Sequence, residues 1–365
     1  MTHFCLTAID IPAIQLCNWR VTRRQQRGLT MVELLVALVI SMLIALAAIS
    51  ALTVTRQGFG TVDASSQLRD NGRFAADLIQ RLAVQSGYKD VKFSGASAGT
   101  VLASVAGLAS NPDPNITGFN NALIHGTDPL NLSIARTAGV DGYGSDILIL
   151  RYQGAETYPG SGVSDRSMID CAGNPATAIP ADRYDRMVSI IHVAVSQGEP
   201  SLMCSRSATG LAPFATQPIV QGVENFQVLY GTDGVIPNTA PPVAASASAA
   251  AAAYTAYSNN APNRYYRADQ LTVAGDAIGT NANWRLVRSL RIGMVLRGPA
   301  NSAQEKITQT FYPFGVGKSS STGTAGSAMS NTAALDPGTV FTPALDGRLR
   351  QIRTFTVQLR NEQNL

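Results

Sequence analysis

Arg27-Gly28-Leu29-Thr30-Met31-Val32-Glu33-Leu34-Leu35 opens the longest apolar run of the chain. From Leu34 to Leu52 every residue is Leu, Val, Ile, Ala or Met, apart from Ser41 and Ser50. Counted from Leu29, the run is about 24 residues, or roughly 36 Å of helix, against a hydrocarbon core of roughly 30 Å. Arg20, Arg23, Arg24 and Arg27 precede it, and the nearest upstream acid is Asp10. That asymmetry predicts a cytoplasmic N-terminus and export of everything downstream. Glu33 is the one acid inside the segment, and an ionisable group there is costly enough to mark a functional position.

Two plainer readings compete. An ordinary secretory signal would be cut after its apolar region, at Ala45-Leu46-Ala47 or Ile49-Ser50-Ala51. Its basic region would then run to about 33 residues and leave an acid at the edge of the apolar one. A simple membrane anchor explains the length and the arginines, but not Gly28 together with Glu33.

Gly28 just before the apolar run, Leu29 as the first residue of the run and Glu33 four residues further on resemble the type III signal of type IV prepilins and pseudopilins. The resemblance implies that a prepilin peptidase cuts after Gly28 and that the new N-terminal residue, Leu29, is methylated. A residue without Cβ suits an extended fit in a tight protease cleft. It also implies a subunit-assembly role for Glu33, whose carboxylate pairs with the α-amino group of Leu29 on a neighbouring subunit. Both charges have then left water and need each other. Methylation leaves that amine basic. Residues 1–28 are accordingly expected to be a removed leader. Its first twenty residues are unlike a prepilin leader, and a start at Val21 would leave a short basic one.

Charged residues make up 14% of the chain, and the formal charge is +4. Removing the leader's four Arg and one Asp leaves +1, so no basic patch is implied and nucleic-acid binding gains no support. Cys5 and Cys17 leave with the leader. Cys171 and Cys204 remain on the exported side, where one disulfide closing a loop of about 33 residues is expected, worth about 3–4 kcal/mol. No CxxC pair or histidine cluster accompanies them, so no metal is expected.

The signal is followed by an expected transmembrane and filament-core helix over 29–54, and an amphipathic continuation over 55–88. In the continuation Phe59, Val62, Leu68, Phe74, Leu78 and Leu82 recur at helical spacing. Gly58 and Gly60 predict a hinge or a break between two helices. Residues 89–365 form the expected β-rich head. Residues 89–141 read as polar loops, with Asn111-Pro112-Asp113-Pro114-Asn115 excluded from helix and central strand. Ile147–Tyr152 reads as a strand, and Met187–Val195 and Ser201–Arg206 as a hairpin around Gln197-Gly198-Glu199-Pro200. Low-complexity insertions are placed near 237–262 and 318–336. Trp284–Arg297 reads as a half-exposed strand punctuated by Arg285, Arg288, Arg291 and Arg297; alternation explains this stripe better than a groove for an acidic partner. A last strand lies within 348–361.

Three pieces resemble the PilW family of minor pilins: Gly72-Arg73-Phe74-Ala75 running to Gly87-Tyr88, the Gly222-Val223-Glu224 strand leading into Tyr230-Gly231, and the ending Leu359-Arg360-Asn361. The resemblance implies an α+β, type IV pilin-like fold, a long N-terminal helix packed on antiparallel sheet. It implies a minor pilin that helps initiate pilus assembly at or near the tip. Expected partners are other minor pilins and the major pilin, the prepilin peptidase, the inner-membrane assembly platform and a tip adhesin. The subunit would wait in the inner membrane, head periplasmic, and then join the surface pilus. The alternatives are a J-type pseudopilin of a type II secretion system, or a filament-displayed module for adhesion or DNA uptake. His125 falls in a loop, His192 within an apolar strand, and Ser205 on no nucleophile elbow. With no Walker loop or paired carboxylates either, neither catalysis nor a cofactor is expected.

Overall fold

A computed structural model describes Gly28 and residues 30–94, 113–130, 134–182, 184–241, 261–315 and 338–361. The leader with Cys5, Cys17 and the Val21 start, Leu29, and the cores of both low-complexity insertions lie outside the described residues. The chain divides into two compact units, Met1–Thr55 and Arg56–Leu365.

Helix α1 runs without interruption over Met31–Gln85. The hinge or break expected at Gly58 and Gly60 is not there. Each glycine costs about 1 kcal/mol of helix propensity, which the cooperative hydrogen bonding of so long a helix absorbs. Within the second unit the helix buries Ala64, Leu68, Gly72, Ala75, Ala76, Ile79, Leu82 and Ala83, a stripe at three- and four-residue steps. Phe59, Val62 and Phe74, expected on that face, are exposed instead. Small residues share that face with Leu68, Ile79 and Leu82, and Gly72 faces Leu296 and Arg353 across a gap that a Cβ would fill at ordinary contact distance, 3.6–3.7 Å. The helix ends at Gly87, whose φ of 76° suits a residue without Cβ. There the Gly87 amide donates to Arg151 O at 2.9 Å.

Every sheet is antiparallel. Five strands take the order β1-β4-β5-β6-β7: β1 Ile116–Phe119, β4 Ile147–Tyr152, β5 Met187–Ser196, β6 Glu199–Ser207 and β7 Ala215–Gln221. Four take the order β11-β10-β8-β9: β8 Val223–Thr232, β9 Arg264–Tyr266, β10 Val287–Arg297 and β11 Arg350–Gln358. A small ribbon pairs β2 Ala122–Leu123 with β3 Ile134–Ala135. Short helices α2 Val91–Ser94, α3 Ala268–Leu271 and α4 Ala277–Arg285 complete the described elements. Strands β1–β3 thus fall in the stretch expected to be loop.

Strand β4 is buried along its length and apolar from Ile147 to Leu150, because both its faces are covered. Leu148 and Leu150 join the main core with α1 residues Ile79 and Leu82, while Ile147 and Ile149 pack with Val188 and Ile190 on the other side. The β5–β6 hairpin turns through Gln197 and Gly198, both at positive φ (53° and 78°), as a two-residue turn of matching twist requires. Ahead of β4, Asp146 ties the two large sheets together. Its carboxylate accepts from Val228 N at 2.8 Å, and its amide donates to Phe226 O at 2.7 Å.

The segment Trp284–Arg297 is not one strand. Asp276 caps α4 by accepting from Gly279 N at 2.8 Å, and Trp284 and Arg285 end that helix before β10 begins. Trp284 packs edge-on against Tyr230 with centroids 4.6 Å apart, a contact the helix supplies. Nor is β10 half-exposed: it is the centre of the core face under α1, and Pro313 closes on Gly293 from outside.

Cys171 and Cys204 form a disulfide with Cα atoms 5.6 Å apart, closing 33 residues of chain. It pins the loop at Cys171 to β6, and the Cys171 amide also donates to Ser189 Oγ on β5 at 3.1 Å. Loop closure of this length is worth about 3–4 kcal/mol.

Candidate functional site

The first turns of α1 carry the expected processing and assembly residues. Gly28 is exposed with nothing packed against it, and Leu29 is outside the described residues. Thr30 and Glu33 form a capping box. The Thr30 amide and hydroxyl donate to Glu33 Oε2 at 3.0 and 3.1 Å, and the Glu33 amide donates to Thr30 Oγ1 at 3.3 Å. This was legible as Thr-x-x-Glu, yet Glu33 draws attention first as a misplaced charge. The cap uses Oε2 only, and Glu33 Oε1 has no partner among the described residues.

Beyond the cap the helix is a bare apolar surface. Met31, Leu34, Leu38, Leu43, Ile44, Leu46 and Ile49 are all more than half exposed. The hydroxyls of Ser41, Ser50, Thr53 and Thr55 return to backbone carbonyls three or four residues earlier. Nothing polar is left to hold water along this stretch. An apolar patch of this size needs lipid or another apolar surface to cover it. Glu33 is its only charge.

The other residues weighed above have structural partners. The Arg stripe divides: Arg285 is buried at the end of α4, Arg291 stacks 4.2 Å from the centroid of the Tyr265 ring, and Arg297 enters an ion-pair clasp. In the clasp Arg297 reaches Glu199 at 3.0 Å and Glu224 at 3.4 Å, Arg350 reaches Glu224 at 2.6 Å, and Arg348 reaches Glu199 at 2.8 Å. Glu199 stands on β6 and Glu224 on β8, so the arginines join the two large sheets. Neighbouring Gly222, at φ 82°, lets the chain pass so close that a Cβ there would sit 2.5 Å from Arg297 O.

His125 is a turn residue, its Nδ1 accepting from the Asp128 amide at 3.1 Å. His192 is buried, with Nε2 3.0 Å from Ser205 Oγ, which in turn is 2.7 Å from Thr216 Oγ1. Burial, and then the positive charge of Arg136, push its pKa down to about 4 from an ordinary 6.5. The folded protein therefore keeps a neutral imidazole where the unfolded chain takes up a proton. This contribution to stability is complete above about pH 6.5 and is lost as pH falls towards about 4, by up to about 3 kcal/mol. His192→Gln is expected to flatten the pH dependence of denaturant unfolding over that range. Equal slopes in the two proteins would assign the acid sensitivity elsewhere. Among the described residues no three His, Cys, Asp or Glu side chains gather as a metal ligand set.

Residues 190–361 match the family model described as Type IV Pilus-assembly protein W, and residues 23–49 match the prokaryotic N-terminal methylation motif. Among solved structures, the type IV-like pilin TTHA1219 from Thermus thermophilus is similar at 13% identity and a TM-score of 0.37, covering 81% of this chain and 98% of its own. No curated protein matches. The methylation motif spans Gly28 and Glu33, and the PilW match takes in the hairpin, both strands of the clasp and the C-terminal strand. Residues 190–361 thus carry a PilW-type region, behind a prepilin-type methylation motif at residues 23–49.

Proposed function

We propose that this protein is a minor pilin that helps initiate type IV pilus assembly and is incorporated at or near the pilus tip. The observation that carries the reading is the bare apolar helix with one capped carboxylate. A side chain whose Oε2 closes the helix N-terminus while Oε1 stays open is suited to receive an amine from a second subunit without uncapping its own helix. In this reading residues 1–28 are removed by the prepilin peptidase, and Leu29 becomes the methylated N-terminus. Residues 29–54 hold the subunit in the inner membrane before assembly and pack into the filament core afterwards. Residues 55–88 brace the periplasmic head, 89–365. Its partners are other minor pilins, the major pilin and the membrane assembly platform.

Deletion of the gene tests the reading. Loss of sheared surface pili is the expected outcome. Normal pili with blocked release of secreted proteins would make the protein a type II pseudopilin instead. Normal pili with lost adhesion or DNA uptake would make it a displayed binding module.

A further inference from the structure

Two buried guanidinium groups at one end of the five-stranded sheet hang on the same short segment. Arg151 of β4 donates from Nη1 to Pro114 O and to Thr117 Oγ1, each at 3.0 Å, and from Nη2 to Asp113 Oδ2 at 3.1 Å. Arg186, just before β5, donates from Nη1 to Asp113 O and to Asn115 Oδ1, each at 2.8 Å. Arg285, at the end of α4, lies near enough for its charge to act on Arg186. Burial first, and then the neighbouring arginines, push the Arg186 pKa down to about 10.

The charges do not balance. Asp113 is the carboxylate that acts on both Arg151 and Arg186, so among the described residues these two guanidiniums share one acid. Residues 95–112, which lead up to it, contain no Asp or Glu. Two donors here are also buried with no hydrogen-bond partner, Arg186 Nε and Asn115 Nδ2. The residues that carry them are 9% and 1% exposed. The amide of Asn115 cannot be turned round to cure this, because its oxygen already accepts from Arg186. Orphaned buried donors beside excess positive charge mark the place of a missing acceptor, since each costs free energy until an oxygen meets it. Guanidinium forks are shaped for oxyanions. The Asp113 side chain, 60% exposed, borders the cluster on its solvent side.

We propose that Arg151, Arg186 and Asn115 form a binding site for a small oxyanion, a phosphate or a carboxylate, beside Asp113. The site is independent of the apolar helix and of the assembly reading. Asp113 is its resident competitor, an anion already seated on Arg151.

Thermal unfolding of the full processed chain in detergent tests this, with sodium phosphate, sodium acetate or sodium chloride titrated at matched ionic strength. Phosphate or acetate is expected to raise the midpoint saturably, by about 5 °C at a hundredfold excess over Kd, beyond any effect of chloride. The rise should be larger in Asp113→Asn, which removes the competitor, and absent in Arg186→Gln. A response to phosphate alone assigns the ligand to phosphates, and a response to acetate alone to carboxylates. A rise that does not saturate, or that is no larger in Asp113→Asn than in the wild type, overturns the proposal. Such a rise would reflect only the general exclusion of these salts from protein surfaces. Should Arg186→Gln not fold, the comparison with Asp113→Asn still decides, because that side chain is largely in solvent.

Discussion

Replacing Glu33 by alanine is expected to leave the protein in the membrane fraction while removing it from sheared filaments. The apolar run is untouched, so insertion proceeds. On the proposed assembly role, what is lost is the acceptor for a neighbouring subunit's N-terminal amine, and a charge left unpaired in an apolar contact is strongly unfavourable. Incorporation is therefore expected to fall by about a hundredfold or more. Alanine also removes the bonds with Thr30, so a weakened cap would be confounded with a lost charge. Glu33→Gln separates them. Glutamine serves the same position of a capping box but carries no charge. Immunoblots of sheared filaments and membranes should therefore show Gln as defective as Ala. Normal incorporation of the Gln variant would reduce Glu33 to a capping residue.

The second large effect is expected in the head. Glu224→Ala should lower unfolding free energy by about 3–5 kcal/mol, whereas Glu199→Ala should cost about 1 kcal/mol. Both acids belong to one clasp, and burial sets the difference. Side-chain exposure is 8% for Glu224, 5% for its partner Arg350, and 32% for Glu199. Removing the buried acid strips two buried arginines of a partner, while water can replace the exposed one. Denaturant unfolding of the full chain in detergent would measure both, and equal small losses would show that the clasp does not hold the sheets together. Acid should also loosen it. Asp346, 2.7 Å from Arg350, extends the clasp; burial raises the Glu199 and Asp346 carboxyls, but the bonds from Arg348, Arg297 and Arg350 outweigh it and hold both below their ordinary values. Their contribution is therefore present above the ordinary carboxylate range and fades as pH falls through the lowered values, after the loss tied to His192 has begun.

Some of this was legible because it is local. The capping box needs only residues three apart, and the apolar run needs only its own length and composition. The hairpin at Gln197-Gly198 and the terminal strand follow from turn chemistry and alternation. The buried face of α1 was misread because a large side chain was taken as the sign of burial, whereas Ala64, Gly72, Ala75 and Ala76 lie on the buried face and Phe59, Val62 and Phe74 do not. Trp284 looked like strand because its neighbours are apolar, and only its contact with Tyr230 explains why a helix ends there.

The sequence by itself determined a membrane-length helix with one acid near its start, and a β-rich head stapled between Cys171 and Cys204. Those properties add up along the chain. Only the tertiary structure decided which charges meet. Glu199 and Arg348 stand 149 residues apart, and Arg186 and Asp113 stand 73 apart. Periodicity does not encode contacts at that distance. The sheet order brings one set of arginines to its acids and leaves another set sharing a single carboxylate.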